Sequence, residues 1–156
     1  MIRIEIPGRE PLSIEHVVLD YNGTIAEDGA LLFEAAERIA ELRKYVRVHV
    51  LTADTYGTVT AQCADLVDSI ETFPSDAAAK SKAEIVKKLG GESCACFGNG
   101  FNDILMFDAA ALSVAVLLKE GMCAAILPHA DVMVKHIADG LDLLLKPDRL
   151  RATLRG

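Results

Sequence analysis

The apolar positions of this chain change their period several times, and each change marks an element. Strict alternation in "IRIEI" (2–6) predicts a short, half-exposed strand, and Pro7-Gly8 ends it. "EHVVLD" (15–20) is instead a continuous apolar run, the pattern of a strand covered on both faces. From Phe33 to Lys44 the apolar set Ala35, Ile39 and Leu42 returns at helical spacing. "VRVHVLT" (46–52) predicts a strand, "TYGTVTAQCADL" (55–66) a helix of modest propensity and "VDSIETF" (67–73) another strand. Pro74, Ser75 and Asp76 open a helix over "AAAKSKAEIVKKL" (77–89), and Gly90-Gly91 close it. "CACF" (94–97) reads as a strand and "FNDILMFDAAAL" (101–112) as a helix. "SVAVL" (113–117) is a strand, followed by a short helix around Glu120 to Leu127. "DVMV" (131–134) is a last strand, and the tail from Ile137 to Leu154 is helical with an interruption at Pro147.

Strands alternating with helices of this length imply βαβ units: an α/β parallel sheet with helices on both faces. The 156 residues suit a single domain spanning 1–156, with no repeat or linker. In such sheets ligands sit outside the carboxyl ends of the strands. The polar residues gather there. "VVLD" ends in Asp20 and "HVLT" in Thr52. "CACF" runs into Gly98-Asn99-Gly100, with Asn102-Asp103 opening the next helix. The helix after Pro74 brings Lys80 and Lys82 near its start.

Charge narrows the partners. A net charge of -7 argues against a nucleic-acid surface, which needs a basic stripe. No apolar stretch is long enough to span a membrane, and the first residues lack a signal-peptide layout, so a cytoplasmic location is expected. Cys94 and Cys96 share one face of a strand, but their spacing is not a familiar metal or redox pattern. They and Cys63 and Cys123 read as small buried hydrophobes. His16, His49, His129 and His136 show no ligand spacing.

The gathered groups share one chemical use. A carboxylate such as Asp20 can attack phosphorus and form an aspartyl-phosphate. Phosphoryl transfer then needs a cation and donors around the phosphoryl oxygens. Hard oxygen ligands such as Asp20 and Asp103 suit magnesium. A lysine, the Thr52 hydroxyl and free backbone N–H groups at Asn22, Gly23 and Thr24 would serve the oxygens. Each piece also has a plain structural reading. Asn22-Gly23 is a hairpin-turn dipeptide, Thr52 or Asp54 could cap a helix, and lysines usually face solvent.

"LDYNGTIAEDG", "VLTAD", the lysine-bearing helix start and "GNGFNDILMFDAA" resemble the four motifs of the haloacid dehalogenase-like superfamily. Within it they look most like the phosphorylation domain of P-type ATPases and the small proteins called soluble P-type ATPases. The C-terminal "AAALSVAV", "HADVMV" and "LDLLLKPDRLRATLR" look like the end of that domain. The resemblance implies a three-layer Rossmann-like sheet and Asp20 as nucleophile. It implies that the backbone carbonyl of Asn22 faces magnesium, with Asn99 and Asp103 completing the metal site. Thr52, the backbone amide at Ala53 and Lys82 would hold the phosphoryl group. Lys82 is preferred to Lys80 because "KAEIVKKL" matches the motif spacing.

Two positions depart from the pattern. Family phosphatases carry Asp where this chain has Asn22; that acid protonates the leaving group and later activates water, which an amide cannot do. P-type ATPases carry Thr there. Asn99 replaces a metal-binding Asp and removes one negative charge. Thr24 and Thr52 are only one helix apart, leaving room for the flap "IAEDGALL" and no cap domain. The resemblance therefore implies a slow magnesium-dependent phosphohydrolase or phosphotransferase with an open site, acting on a small phosphorylated substrate, as a homo-oligomer. A phosphate-binding or regulatory module with little chemistry is the alternative, and a capless oligomer like the sugar-acid phosphatases a second. Both departures are Asn-Gly pairs, prone to deamidation; converting Asn22 to Asp would restore the missing acid.

Overall fold

The computed structural model describes residues 1–54 and 56–156. In chain order its strands are β1 (Ile2–Ile4), β2 (Leu12–Ile14), β3 (His16–Leu19), β4 (Ala26–Glu27), β5 (Ala30–Leu31), β6 (Arg47–Thr52), β7 (Ser69–Thr72), β8 (Cys94–Gly98), β9 (Leu112–Val116) and β10 (Val132–Val134). The α-helices are α1 (Phe33–Leu42), α2 (Val59–Cys63), α3 (Ala78–Leu89), α4 (Ile104–Asp108), α5 (Ile137–Leu145) and α6 (Pro147–Leu154). Among the described residues, β10, β9, β8, β3, β6 and β7 form one sheet in that order, and every neighbouring pair is parallel. The chain goes from β3 to β6 on one side and later reaches β8 on the other. Strand order thus reverses at β3, which is where a ligand crevice opens in such sheets.

The alternation of side chains along each strand builds two cores. Val17 and Leu19 of β3, Val48 and Val50 of β6 and Phe97 of β8 pack with Ala35, Ile39 and Leu42 of α1 and with Ile137 and Leu141 of α5. On the other face Val18, Leu51, Cys94 and Cys96 pack with Val86 of α3 and with Met106 and Phe107 of α4. Each fully buried Leu or Val side chain contributes about 1.5–3 kcal/mol. Burial pushes the Cys63 and Cys94 thiols up to about 11, so both behave as protonated core atoms. α3 stops at Gly90, whose φ of 88° provides the left-handed helix end.

Several elements differ from the sequence expectation. β1 pairs antiparallel with β2, a three-residue strand too short to give a period of its own. The flap is a hairpin of β4 and β5. Its turn, Asp28-Gly29, has φ of 49° and 80°, positive at both positions as a type I′ turn requires. Asn22-Gly23 is not such a turn, since only Gly23 has positive φ. The Gly29 carbonyl accepts hydrogen bonds from Tyr21 Oη (3.0 Å), Thr58 Oγ1 (2.7 Å) and Gln62 Nε2 (3.0 Å), which tether the flap tip. The helix expected over 55–66 begins at Thr55, outside the described residues; of the rest only Val59–Cys63 is α-helical. Residues 101–112 divide into a 3-10 turn (Phe101–Asp103), α4 and the start of β9. In place of a helix at 120–127, a bridge joins Leu118 to Gly121 and a 3-10 segment covers Ala124–His129, with Pro128 inside it.

Candidate active site

Asp20 directly follows β3, and its backbone N–H donates to the Phe97 carbonyl of β8 at 3.0 Å. That bond fixes the carboxylate at the reversal point of the sheet. Lys82 enters from α3 with its side chain fully buried. Its Nζ lies 2.7 Å from Asp20 Oδ1 and 2.7 Å from Asp103 Oδ1, and 3.3 Å from Asn102 Oδ1. A buried ammonium is tolerable only with such partners. Lys80, two residues earlier and so roughly half a turn round the helix, is exposed. Asp103 Oδ2 accepts the backbone N–H groups of Asn99 (3.1 Å) and Gly100 (3.0 Å). Gly98 makes room for that carboxylate: a Cβ there would stand 2.5 Å from Asp103 Oδ2.

Electrostatically the cluster is under-neutralised. Burial and then the Asp103 charge push the Asp20 carboxyl up to about 6, against the pull of Lys82. Burial alone would lower the Lys82 ammonium, but the Asp20 and Asp103 carboxylates outweigh it and hold it above its ordinary value. One shared ammonium between two buried carboxylates leaves excess negative charge at the strand ends. A further cation there would relieve it.

A cleft of about 190 Å³ opens on this cluster, lined by Asp20, Asn22, Thr52, Ala53, Asn99, Gly100 and Asn102. A larger cleft of about 510 Å³ lies elsewhere, beside His16 and Arg47 at the amino ends of β3 and β6. It contains none of these groups, so size does not identify the site. In the smaller cleft Thr52 Oγ1 accepts the Asp54 backbone N–H at 3.0 Å, leaving its proton free. Asp54 Oδ1 accepts the N–H groups of Thr58 (3.2 Å) and Val59 (3.3 Å) and so caps α2. Asn99 Nδ2 donates to the Gly121 carbonyl at 3.1 Å, and its Oδ1 accepts from Thr24 Oγ1 at 3.4 Å. Gly23 is needed beside it, because a Cβ would collide with the Asn99 amide. Both amide atoms of Asn22 are buried with no hydrogen-bond partner.

The expectation of free backbone donors at Gly23 and Thr24 needs correcting. The tight turn uses both: Gly23 N–H donates to Ala26 O (2.8 Å) and Thr24 N–H to Tyr21 O (3.2 Å). Thr24 instead turns its hydroxyl to Asp20 Oδ2 at 3.2 Å. Asn102, which the sequence placed at this edge without a role, stands on the cleft wall and accepts a hydrogen bond from Lys82. The histidines lie outside the cleft: His16 Nδ1 and His49 Nε2 are 3.0 Å apart, His129 pairs with Asp108, and His136 caps α5.

The ordered motifs and their convergence on one cleft agree with a family match: the model of the haloacid dehalogenase-like hydrolases fits residues 4–111. The chain belongs to that family of hydrolases. An uncharacterized protein of Methanocaldococcus jannaschii is 38% identical over 87 residues, covering 54% of this chain and 94% of that protein. The fold is similar to 3-deoxy-D-manno-octulosonate 8-phosphate phosphatase from Moraxella catarrhalis, solved with magnesium, phosphate and the sugar acid: TM-score 0.71, 16% identity, 91% of this chain and 94% of that one. The cobalt-bound Haemophilus influenzae phosphatase gives TM-score 0.71 at 16% identity, over 92% and 94%. A Streptomyces avermitilis hydrolase of the family gives 0.70 at 19%, over 87% of each chain. At these identities the likeness is one of fold. The match agrees with the three-layer Rossmann-like sheet that the motifs implied. Among the described residues no helix is long and apolar enough to cross a membrane.

Proposed function

We propose that this hydrolase is a magnesium-dependent phosphohydrolase or phosphotransferase, working slowly through an aspartyl-phosphate on Asp20. The observation that carries the reading is the buried Lys82 ammonium, 2.7 Å from both Asp103 and Asp20, the carboxylate that lines an open cleft. In this reading Asp20 attacks phosphorus. Thr52, the Ala53 and Asn22 backbone and Lys82 hold the phosphoryl oxygens, with Gly23 and Thr24 shaping the turn that presents them. The P-type-like order of the motifs favours a soluble P-type ATPase-like lineage for the site.

Magnesium fits the donor chemistry. Of the residues named for the ion, Asp20 and Asn99 line the cleft with oxygen donors, while Asp103 lies buried beneath it on Lys82 and two backbone N–H groups. Among the described residues no three His, Cys, Asp or Glu side chains are grouped for a metal. Magnesium characteristically takes one or two carboxylates and completes its shell with water and substrate phosphate. The excess negative charge around Lys82 supports the same conclusion. The ion, when bound, would neutralise charge on the phosphoryl group. Lys82 and Thr52 would orient that group for in-line attack by Asp20.

The substrate is read as a small phosphorylated molecule. A capless oligomer like the sugar-acid phosphatases is a second reading, favoured by the fold likeness to enzymes named for a sugar-acid phosphate. Exposed Phe33 and Phe101, near the carboxyl edge of the sheet, favour a second copy bordering the site. The orphaned Asn22 amide favours the alternative of a phosphate-binding module with little turnover. Turnover of an aryl phosphate with and without magnesium separates these readings. Hydrolysis that stops on chelation and falls more than about 100-fold in Asp20→Asn supports catalysis. Beryllofluoride binding without turnover in the wild type would favour the module.

A further inference from the structure

The amino ends of β3 and β6 carry groups for which the strand-end cleft has no use. His16 of β3 and Arg47 of β6 are register partners on adjacent parallel strands, and both line the cleft of about 510 Å³ at that end. Its size is that of a small-molecule site. Arg43, Lys44 and Tyr45, which follow α1, line the same cleft, and Glu15 is the one carboxylate among its described walls. Arg43 pairs with Asp68 at 3.3 Å and Lys44 with Glu41, while among the described residues Arg47 has no carboxylate partner. His16 is held in place by a hydrogen-bonded row: its Nδ1 lies 3.0 Å from Nε2 of the buried His49, whose Nδ1 lies 2.7 Å from Ser69 Oγ. Burial and then the His16 charge, joined by Arg47 and opposed by Asp68, hold the His49 ring below its ordinary value and neutral at pH 7. With Nδ1 engaged, Nε2 is the His16 nitrogen left for a ligand. An imidazole and an unpaired guanidinium thus stand side by side in a chain of net charge -7. An anion between them would relieve their mutual repulsion.

We propose that this amino-end cleft is a second binding site, for a small molecule that joins a phosphate dianion to a planar ring, a nucleoside monophosphate being the simplest. The phosphate sits between Arg47 and His16. A guanidinium donates two parallel hydrogen bonds to such an oxyanion. The anion in turn favours the imidazolium form of His16, in which Nδ1–H donates to His49 and Nε2–H to a phosphate oxygen. Lys44 adds positive charge at the rim. The ring lies against Tyr45, which is 53% exposed on the cleft wall. Glu15 on the same wall limits the negative charge the cleft accepts, which favours one phosphate over a chain of three. The site lies at the opposite end of β3 and β6 from Asp20 and Thr52 and shares no lining residue with their cleft. The inference therefore does not rest on the aspartyl-phosphate reading.

The test is a titration with adenosine monophosphate followed by amide proton–nitrogen NMR spectra, with a chelator present so that no divalent cation fills the other cleft. Wild type, Arg47→Glu, His16→Gln and Tyr45→Ala are compared, each checked for folding by urea melting. Arg47 and Tyr45 are exposed, so their variants keep the fold even where His16→Gln does not. The expected result is saturable shifts at residues 15–16 and 43–47 in wild type. Affinity falls at least about tenfold in Arg47→Glu and His16→Gln, the scale of a lost charge-assisted hydrogen bond. Tyr45→Ala weakens the nucleotide and leaves inorganic phosphate unchanged, and adenosine and inorganic phosphate each bind wild type more weakly than the nucleotide. Shifts confined to residues 20–24, 52–53 and 99–103, or no saturation up to about 10 mM, overturn the inference. So does a nucleotide affinity unchanged in Arg47→Glu or Tyr45→Ala, or binding of adenosine or inorganic phosphate as tight as that of the nucleotide.

Discussion

Asn22 and Asn99 present the same amide, each followed by glycine, on neighbouring strand ends, and their side chains meet opposite circumstances. Asn99 is satisfied: it donates to Gly121 and accepts from Thr24, tying the loop after β8 to those after β3 and β9. Asn22 bonds to nothing. One amide ties loops together, and the other is buried without a partner. A substitution that looks identical in the letters is therefore two different events. At position 99 the amide is a structural tie between loops. At position 22 the amide lies buried beside the cleft with no hydrogen-bond partner.

The largest expected effect separates the two sites by activity. Asn22→Asp raises hydrolysis of a phosphate ester of an alcohol by about 10²–10⁴-fold, while Asn99→Asp gives no comparable gain; steady-state assays of both variants decide it. Stability should divide them in the opposite sense. Asn99→Ala removes the bond to Gly121 and strands its carbonyl, costing about 1–3 kcal/mol. Asn22→Ala leaves the urea midpoint unchanged or raised, because it removes an unsatisfied buried amide.

A control distant from the cleft is smaller. Burial pushes the Asp142 carboxyl up, but Lys146, Arg38 and Arg149 outweigh it and hold it below its ordinary 3.8. The folded protein therefore binds the proton less tightly than the unfolded chain. The stabilisation is complete above pH 3.8 and fades as pH falls through the lower folded value. Urea melts of wild type and Asp142→Asn should differ at pH 7 and converge in strong acid. The smallest expected effect is chemical ageing. Cyclisation needs the glycine nitrogen, yet Gly23 N–H is held by Ala26 and Gly100 N–H by Asp103. Peptide mapping after storage should find both amides largely intact in the folded protein and converting faster in urea. Rapid conversion of folded Asn22 would revive deamidation as a source of the missing acid.

Buried parallel strands were the legible part of the fold. β3, β8 and β9 are short apolar runs covered on both faces, the pattern of a central parallel strand. Short pairings were not legible: β2 has three residues, and β4 with β5 depends on the Asp28-Gly29 turn. Nor was the 3-10 segment at Ala124–His129, where Pro128 and packing of Ile126 override any helical period. Within the site, the order of Asp20, Thr52 and Asp103 was visible because each ends a strand or opens a helix. Spacing and the motif favoured Lys82 over Lys80, but only packing buries the one and exposes the other. The fates of Asn22 and Asn99 were invisible, because Gly121 approaches only through the loop after β9. The donors assumed free at Gly23 and Thr24 failed for the same reason: a tight turn uses its own amides first.

The central claim is that Asp20 carries a covalent phosphoryl group that no neighbouring acid–base residue helps to discharge. Acid quenching after mixing with acetyl phosphate and magnesium, followed by mass mapping of the adduct, addresses it directly. The account predicts a phosphoryl adduct on Asp20 that needs magnesium, is absent in Asp20→Asn and decays faster in Asn22→Asp. An adduct mapped to another residue, or none in the wild-type protein at any quench time, would contradict it.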